Sequence, residues 1–346
     1  MSITAKIIKD SISKKGKRIT TFEIEIPRYI LAEFNTHRAL SRNSASSRAI
    51  PIEKNIEQVM KRPVIPVHFG KNMAGMQAKE ELDDLIKNQL TPFDGEGVFF
   101  PNDYNLDTSI YNSNDFVCNR LTDGKNFWTD VQERVTLKES AKRRWLQARN
   151  LAVQQVKTLA ELGLHKQIAN RILEPWLYTK IVATATEWDN FFSLRCHPDA
   201  QPEIKVVADL MWELYNSSTP EILEEWEWHV PYMYKIPYSI DGLTYYTSKD
   251  PAIYAIADED RVLFDVAIKV SASMCAQLSY RKADDSIDKA IMIYDRLVSA
   301  KPVHASPFEH QACPLDDPEQ SSGNFYGWLQ HRQIIADHVC KKYKPA

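Results

Sequence analysis

The run ITTFEIEIP, residues 19 to 27, sets Phe22, Ile24 and Ile26 against polar neighbours in alternation. A period of two sends one set of side chains to each face, so the run reads as a half-buried strand. A second alternating run, TKIVATATEW at 179 to 188, leads into a short helix, DNFFSLR. Helical patterns surround both. Residues 28 to 40, RYILAEFNTHRAL, read as a helix that delivers His37 and Arg38 to the edge of a polar loop, and another helix is expected at 53 to 62. The strongest periodicity covers 137 to 162, where Trp145, Ala148, Ala152, Val156 and Leu159 share a face and Gly163 stands at the C-terminal cap position. Residues 202 to 215 open with Pro202 and align Ile204, Val207, Ala208, Met211 and Tyr215. Residues 286 to 299 do the same with Ile287, Ile291, Tyr294 and Val298. More helix than strand predicts an α+β fold, and the lack of a clear linker favours one elaborated domain over residues 1 to 346. Residues 91 to 130 are rich in Asn, Asp, Gly and Pro and poor in periodicity. So long a structureless stretch is uncommon inside a compact domain, which predicts an insertion.

Charge and cysteine usage narrow the classes of function. A chain of 346 residues has ample length for a core, and its net charge of −3 supplies no global basic field for nucleic acid or an anionic membrane. No run approaches the ~18 apolar residues of a membrane span. The N-terminus, MSITAKIIKDSISKKGKR, lacks an apolar signal core, so a cytoplasmic address is expected. Cys118, Cys196, Cys275, Cys313 and Cys340 are odd in number and without C-x-x-C spacing, against both a disulfide framework and a structural zinc site.

Two polar clusters carry the chemistry. FNTHRALSRNSASSRAIP, residues 34 to 51, places Arg38, Ser41, Ser44, Ser46, Ser47 and Arg48 close together. Guanidinium forks and hydroxyls suit a phosphate, though a solvated polar loop has the same composition. Near the other end stands HASPFEH, residues 304 to 310. Its backbone reads as a helix start, with Ser306 as N-cap, Pro307 first and Glu309 completing a capping box. That leaves His304 and His310 unexplained. Zinc ligation by His304, Glu309 and His310 is conceivable, but the histidine spacing fits no standard helical metal motif, and no metal is expected.

Taken together, H-x-[ST]-P-F-E-H and THRALSRNSASSR (Thr36 to Arg48, with Ser46 as the motif serine) resemble the flavin-dependent thymidylate synthases. NRILEP (170 to 175) is similar to that family's A-R-x-x-L-P segment and puts Arg171 on its arginine. NFFSLRCHPDAQPEI (190 to 204) is similar to its N-F-x-x-L-R segment and puts Asn190 and Arg195 on two family site residues. The order differs: the histidine cap, which precedes the His-Arg motif in the family, lies here near the C-terminus behind AIKVSASMCAQLSYRK. The resemblance therefore implies that fold, a mainly antiparallel central sheet flanked by helices, with its segments circularly rearranged.

The resemblance also implies roles. His37, Arg38, Asn190, His304, Ser306 and Glu309 would contact FAD. Ser46, Ser47, Arg48 and Arg171 would hold the sugar and phosphate of dUMP, and Arg195, the catalytic residue, would face the uracil edge. The implied reaction methylates dUMP to dTMP, with methylenetetrahydrofolate as carbon donor and NADPH as reductant, in a homotetramer whose subunits share sites. This chain departs from the pattern at Thr36, where the family has an arginine, at Ser44 for a glutamate, at Ala49 for a tyrosine and at Glu33 for a glutamine. Gln330 and Arg332 in NFYGWLQHRQ are candidates to restore the lost nucleotide contacts, and a plain amphipathic terminal helix with Trp328 packed inward is the competing reading. Those departures keep open another C5 modification of dUMP, such as hydroxymethylation. A non-catalytic nucleotide- or nucleic-acid-binding protein is the third reading, which the net charge disfavours. Cys196-His197 invites comparison with the thiolate nucleophile of the unrelated classical thymidylate synthases, since an adjacent arginine lowers a thiol pKa. The surrounding residues match the flavin family instead.

Overall fold

The computed structural model describes residues 3–75, 77–83, 116–120, 126–130, 136–236, 242–279 and 286–341. The chain divides into two compact units, residues 1–67 with 149–346, and residues 68–148.

In the first unit a five-stranded sheet is built from β1 (Thr4–Ser13), β2 (Arg18–Pro27), β3 (Ser41–Ser44), β4 (Tyr178–Ala185) and β5 (Glu221–Leu223), in the spatial order β3-β4-β2-β1-β5. Every neighbouring pair is antiparallel except β1 with β5. This is the α+β class that the patterns predict and the mainly antiparallel sheet that the resemblance implies. On one face Phe22, Ile24 and Ile26 of β2 pack with Ile181 and Ala183 of β4 against Phe191, Ile204, Val207 and Met211. Those last four belong to the Asp189–Arg195 and Pro202–Ser217 helices, as their apolar stripes require. The other face is covered too. Val182 packs on Tyr232 and Cys275, and Ile19 on Leu223, Phe325 and Trp328. Ile181 through Ala185 are consequently all buried, so the alternation of residue type in β4 does not mark an exposed face.

Most expected helices form with small shifts. Helices occupy Ile52–Lys61, Leu137–Glu161, Asp189–Arg195, Pro202–Ser217 and Ile287–Ser299. Gln201 caps the Pro202 helix by accepting Ile204 N–H at 3.0 Å. Gly163, at φ +83°, ends the long helix, and Leu164 N–H returns to Leu159 O at 2.9 Å. The buried positions of that helix are Ala152, Val153 and Val156, while Ala148 is exposed. Residues 28 to 40 depart further. A 3-10 turn at Arg28–Ile30 and one helical turn at Leu31–Phe34 replace the expected helix. The Thr36 hydroxyl donates to Glu33 O at 2.7 Å, competing with helix continuation at that carbonyl.

The 68–148 unit holds an antiparallel strand pair, Phe116–Arg120 with Asn126–Asp130, and a bridge between Gly70 and Glu81. Lys138 donates to Glu81 at 2.6 Å, and His68 pairs with the same carboxylate. Apart from those two strands, the expected 91–130 insertion lies outside the described residues. Among the described residues no helix is long and apolar enough to cross a membrane.

A line of polar side chains crosses the interior of the first unit. Ser11 Oγ meets His229 Nδ1 at 3.0 Å, and His229 Nε2 meets Thr21 Oγ1 at 2.8 Å. Thr21 and Thr184 hydroxyls, opposite each other across β2 and β4, lie 2.7 Å apart, and Thr184 reaches His310 Nδ1 at 2.9 Å. All five residues are fully buried. Burial drives the His310 pKa down to about 3 and that of the enclosed His331 to about 4; it also drives His229 well below its ordinary value, helped by Lys9 and His310.

Two outcomes follow from this packing. The three enclosed histidines stay neutral when folded but take up protons when unfolded below about pH 6.5. Their folded pKa values are depressed, so their contribution is complete above pH 6.5 and declines as pH falls. Each loses about 2 kcal/mol by pH 5. Urea midpoints at pH 7 and pH 5 check this, and equal midpoints would refute it. Trp188, 2% exposed, meets Phe22, Phe191 and Phe192 with ring centroids 5.1, 5.7 and 5.9 Å away. Trp188→Ala is expected to cost about 3–5 kcal/mol, read from the denaturant midpoint.

Candidate active site

His37, just after the Leu31–Phe34 turn, and Arg195 are brought together from 158 residues apart in the chain. Arg195 ends the Asp189–Arg195 helix, and its Nε–H donates to His37 Nε2 at 2.7 Å. Its Nη2 donates to Thr36 Oγ1 at 3.0 Å and lies 3.5 Å from Glu33 O. His37 is buried edge-on against Phe191, with centroids 4.9 Å apart. Burial, then the charges of Arg195 and Arg42, push its pKa down to about 4. The imidazole is therefore neutral, with its proton on Nδ1 and its Nε2 lone pair turned to Arg195. Thr36, the departure from the family arginine, serves here as a hydroxyl acceptor that holds the guanidinium.

The late histidine turn reaches the same sheet edge. Ser306–Glu309 forms a short 3-10 turn whose N-cap is Ala305, with no side-chain cap bond. The expected capping box is thus absent, because the Glu309 carboxylate is paired with Arg332. His310 joins Thr184 in β4, and Ser41, paired with Thr184 in register, accepts the Gln330 amide at 3.1 Å. Arg42, next along β3, donates to His37 O and lies within the field of Glu309. The early arginine–serine segment and the late histidine segment therefore adjoin, with Arg42 between them.

Gln330 and Arg332 sit differently from free nucleotide donors. Gln330 is 1% exposed, and its amide is engaged by Ser41, Glu309 O at 3.3 Å and Gln333 at 3.3 Å. A Cβ on Gly323 (φ +62°) would come within 2.2 Å of its Oε1, so glycine is needed there on both counts. Residues 328–330 are a strand paired with Ala312–Pro314, so the competing reading of a terminal helix fails there, although Trp328 is packed inward as that reading held. Pairing with a chain segment distant in sequence overrides the local pattern. Arg332 donates to His338 O at 3.2 Å besides pairing with Glu309, while its buried Nε has no partner among the described residues.

A third group surrounds the Ser46–Arg48 turn. Ser46 N–H donates to Ser279 Oγ at 2.7 Å, and Ser47 Oγ donates to Glu174 at 2.8 Å. Arg28 and Arg171 also meet Glu174, at 3.0 and 3.5 Å. Arg38, Arg48, Asn190, His304 and Ser306 are exposed. None of their side chains hydrogen-bonds within the described residues, so these donors face outward. The structure thus joins His37 with Arg195, and Ser47 with Arg171, but leaves the exposed donors unconnected. Arg42, Arg28 and Glu174 escaped the sequence reading. Arg42 stood in the quoted Ser/Arg run, whereas nothing local marked Arg28 and Glu174 as partners.

Cys196 is not set up as a nucleophile. Burial, then the Asp209 carboxylate it hydrogen-bonds, push its thiol up to about 11. The neighbouring guanidinium that was expected to lower it is turned to His37 and Thr36 instead. Among the described residues no group of three His, Cys, Asp or Glu side chains is placed to hold a metal ion. Cavities of about 670 and 510 Å³ lie elsewhere, one lined by Tyr234, Lys249 and Tyr254, the other by Ile52, Ile56 and Ala160.

Comparison with known proteins gives the site a context. Two solved structures are similar: a UMP/dUMP methylase, PolB from Streptomyces cacaoi, bound with 5-Br dUMP and with 5-Br UMP. They share 16% and 17% identity over 62% of this chain, covering 90% and 88% of theirs, with TM-scores of 0.37 and 0.34. No curated protein matches. A family model described as thymidylate synthase complementing protein matches residues 18–221, a span that holds β2 to β4, the Thr36–Arg48 segment, Arg171, Asn190 and Arg195. With well over half its length matched, the chain belongs to the thymidylate synthase complementing protein family.

Proposed function

We propose that this chain is a flavin-dependent enzyme that methylates dUMP to dTMP, taking the carbon from methylenetetrahydrofolate and reducing equivalents from NADPH. The observation that carries the reading is the 2.7 Å bond from Arg195 to a neutral His37, in a chain of this family. It fixes a permanent positive charge at a defined point, on the helix that carries the exposed Asn190 and against the neighbour in sequence of the exposed Arg38. FAD fits the donor set: His304, Ser306, Arg38 and Asn190 offer exposed hydrogen-bonding groups, and the unpartnered Nε of Arg332 lies behind Glu309. Bound there, FAD supplies the hydride for reduction of the pyrimidine.

The protein's own part is holding and electrostatics. Ser46, Ser47, Arg48 and Arg171 hold the nucleotide's phosphate and sugar. Arg195 faces the uracil edge, where its charge favours the electron-rich, N3-ionised ring without moving during the reaction. His37, locked through Nε2, keeps the guanidinium plane fixed, and Thr36 holds its second nitrogen. Glu309 and His37 complete the flavin side. Gln330 and Arg332 act from behind, Gln330 by holding Ser41 and the Glu309 carbonyl, Arg332 by holding the Glu309 carboxylate. Exposed donors on one copy are consistent with a homotetramer in which a second copy closes each site.

The decisive assay mixes purified protein, dUMP, methylenetetrahydrofolate and NADPH and identifies the product. A flavin spectrum and dTMP are expected. A hydroxymethylated nucleotide would replace this reading with another C5 modification, and a colourless protein that binds nucleotide without turnover would make it a binder. Arg195→Ala is expected to lower kcat by about 10²–10³-fold. Cys196→Ser should keep its activity, and an inactive, folded Cys196→Ser protein would restore the thiol mechanism.

A further inference from the structure

Three donors converge on one carboxylate oxygen. Glu174 Oε1 accepts the Ser47 hydroxyl at 2.8 Å and Arg28 Nε–H at 3.0 Å, with Arg171 Nη1 at 3.5 Å. Ser47 is 4% exposed and the Arg28 side chain 15%, whereas that of Arg171 is 57% exposed. A serine hydroxyl has a single proton to donate. While Glu174 holds it, Ser47 has none for another anion, and two oxyanions that only accept cannot share it. Arg28 is tied elsewhere too, through Nη1 to Ala45 O at 3.0 Å. The donors free to change partner are therefore Ser47 and Arg171.

We propose that Glu174 sets the affinity threshold at the phosphate end of the site, as an internal anion that already occupies the donors a nucleotide's phosphate needs. The inference rests on the nucleotide reading above, in which Ser47 and Arg171 hold that phosphate. An inorganic phosphate brings no other contact and fails to take the donors from Glu174. A nucleotide held also at its base and sugar succeeds. Displacing Glu174 costs both ligands alike, which puts a free phosphate, held by few contacts, out of binding range and leaves a nucleotide within it.

Titration calorimetry with inorganic phosphate, dUMP and deoxyuridine tests this on the wild type and Glu174→Gln. The amide keeps an acceptor oxygen for Arg28 and removes the competing charge. Inorganic phosphate is expected to bind Glu174→Gln at least tenfold tighter than wild type, and dUMP about tenfold tighter, with deoxyuridine unchanged. Glu174→Asp, which keeps a charge near Arg28 but draws it back from Ser47, gives a smaller gain and serves if the amide variant misfolds. Phosphate affinity that stays equal or falls in the folded variants overturns the proposal. A phosphate gain with no dUMP binding by any variant supports the competition at Glu174 and overturns the nucleotide reading instead.

Discussion

The antiparallel pairing of β2 with β4 is the constraint on which the rest of the first unit depends. Its register sets Thr21 opposite Thr184 and Phe22 opposite Ala183. One face of the pair then presents apolar side chains to the Asp189–Arg195 and Pro202–Ser217 helices, and the other presents hydroxyls to two histidines. A slip by one residue would exchange those faces, burying unpaired hydroxyls among phenyl rings. Because β3 pairs, among the described residues, with β4 alone, the same register also decides where Ser41 and Arg42 stand. Arg195 is reached from β4 by a single tight connection through Trp188, whose indole is clamped between Phe22 and the helix it precedes. The position of the Arg195 guanidinium is thus set by core packing.

Much of this was legible locally. Phe22, Ile24 and Ile26 announced β2, and Gly163 and Pro202 marked helix ends, because a period, a left-handed cap and a first-turn proline depend on nearby atoms alone. What was not legible depended on distant ones. Thr36 looked like part of a helix until its hydroxyl was seen to satisfy Glu33 O, with Arg195 above it. Gln330 and Arg332 read as free nucleotide donors, since Ser41 and Glu309, which engage them, lie in a distant strand and in a separate turn. Glu174 could not be chosen from its segment alone, because Ser47 and Arg28 lie 127 and 146 residues away in the chain.

The histidine turn's late place in the chain does not keep it from the sheet, for the same reason. His310 and Glu309 are placed by Thr184, Ser41 and Gln330, that is, by the sheet edge and not by what precedes them in the chain. A neighbourhood held by hydrogen bonds to a sheet survives when connections are rerouted, provided each segment still finds its edge.

The buried hydroxyl–imidazole line has a consequence of its own. Ser11, His229, Thr21, Thr184 and His310 bring one exchangeable proton each to four links. A neutral His229 bonded through both ring nitrogens must donate on one side and accept on the other. The outer nitrogen of His310, which has no partner among the described residues, is a donor when Nδ1 accepts from Thr184 and a lone pair when Nδ1 donates. Whatever fixes the proton on His229 therefore fixes the roles of the Ser11 and Thr21 hydroxyls on either side of it.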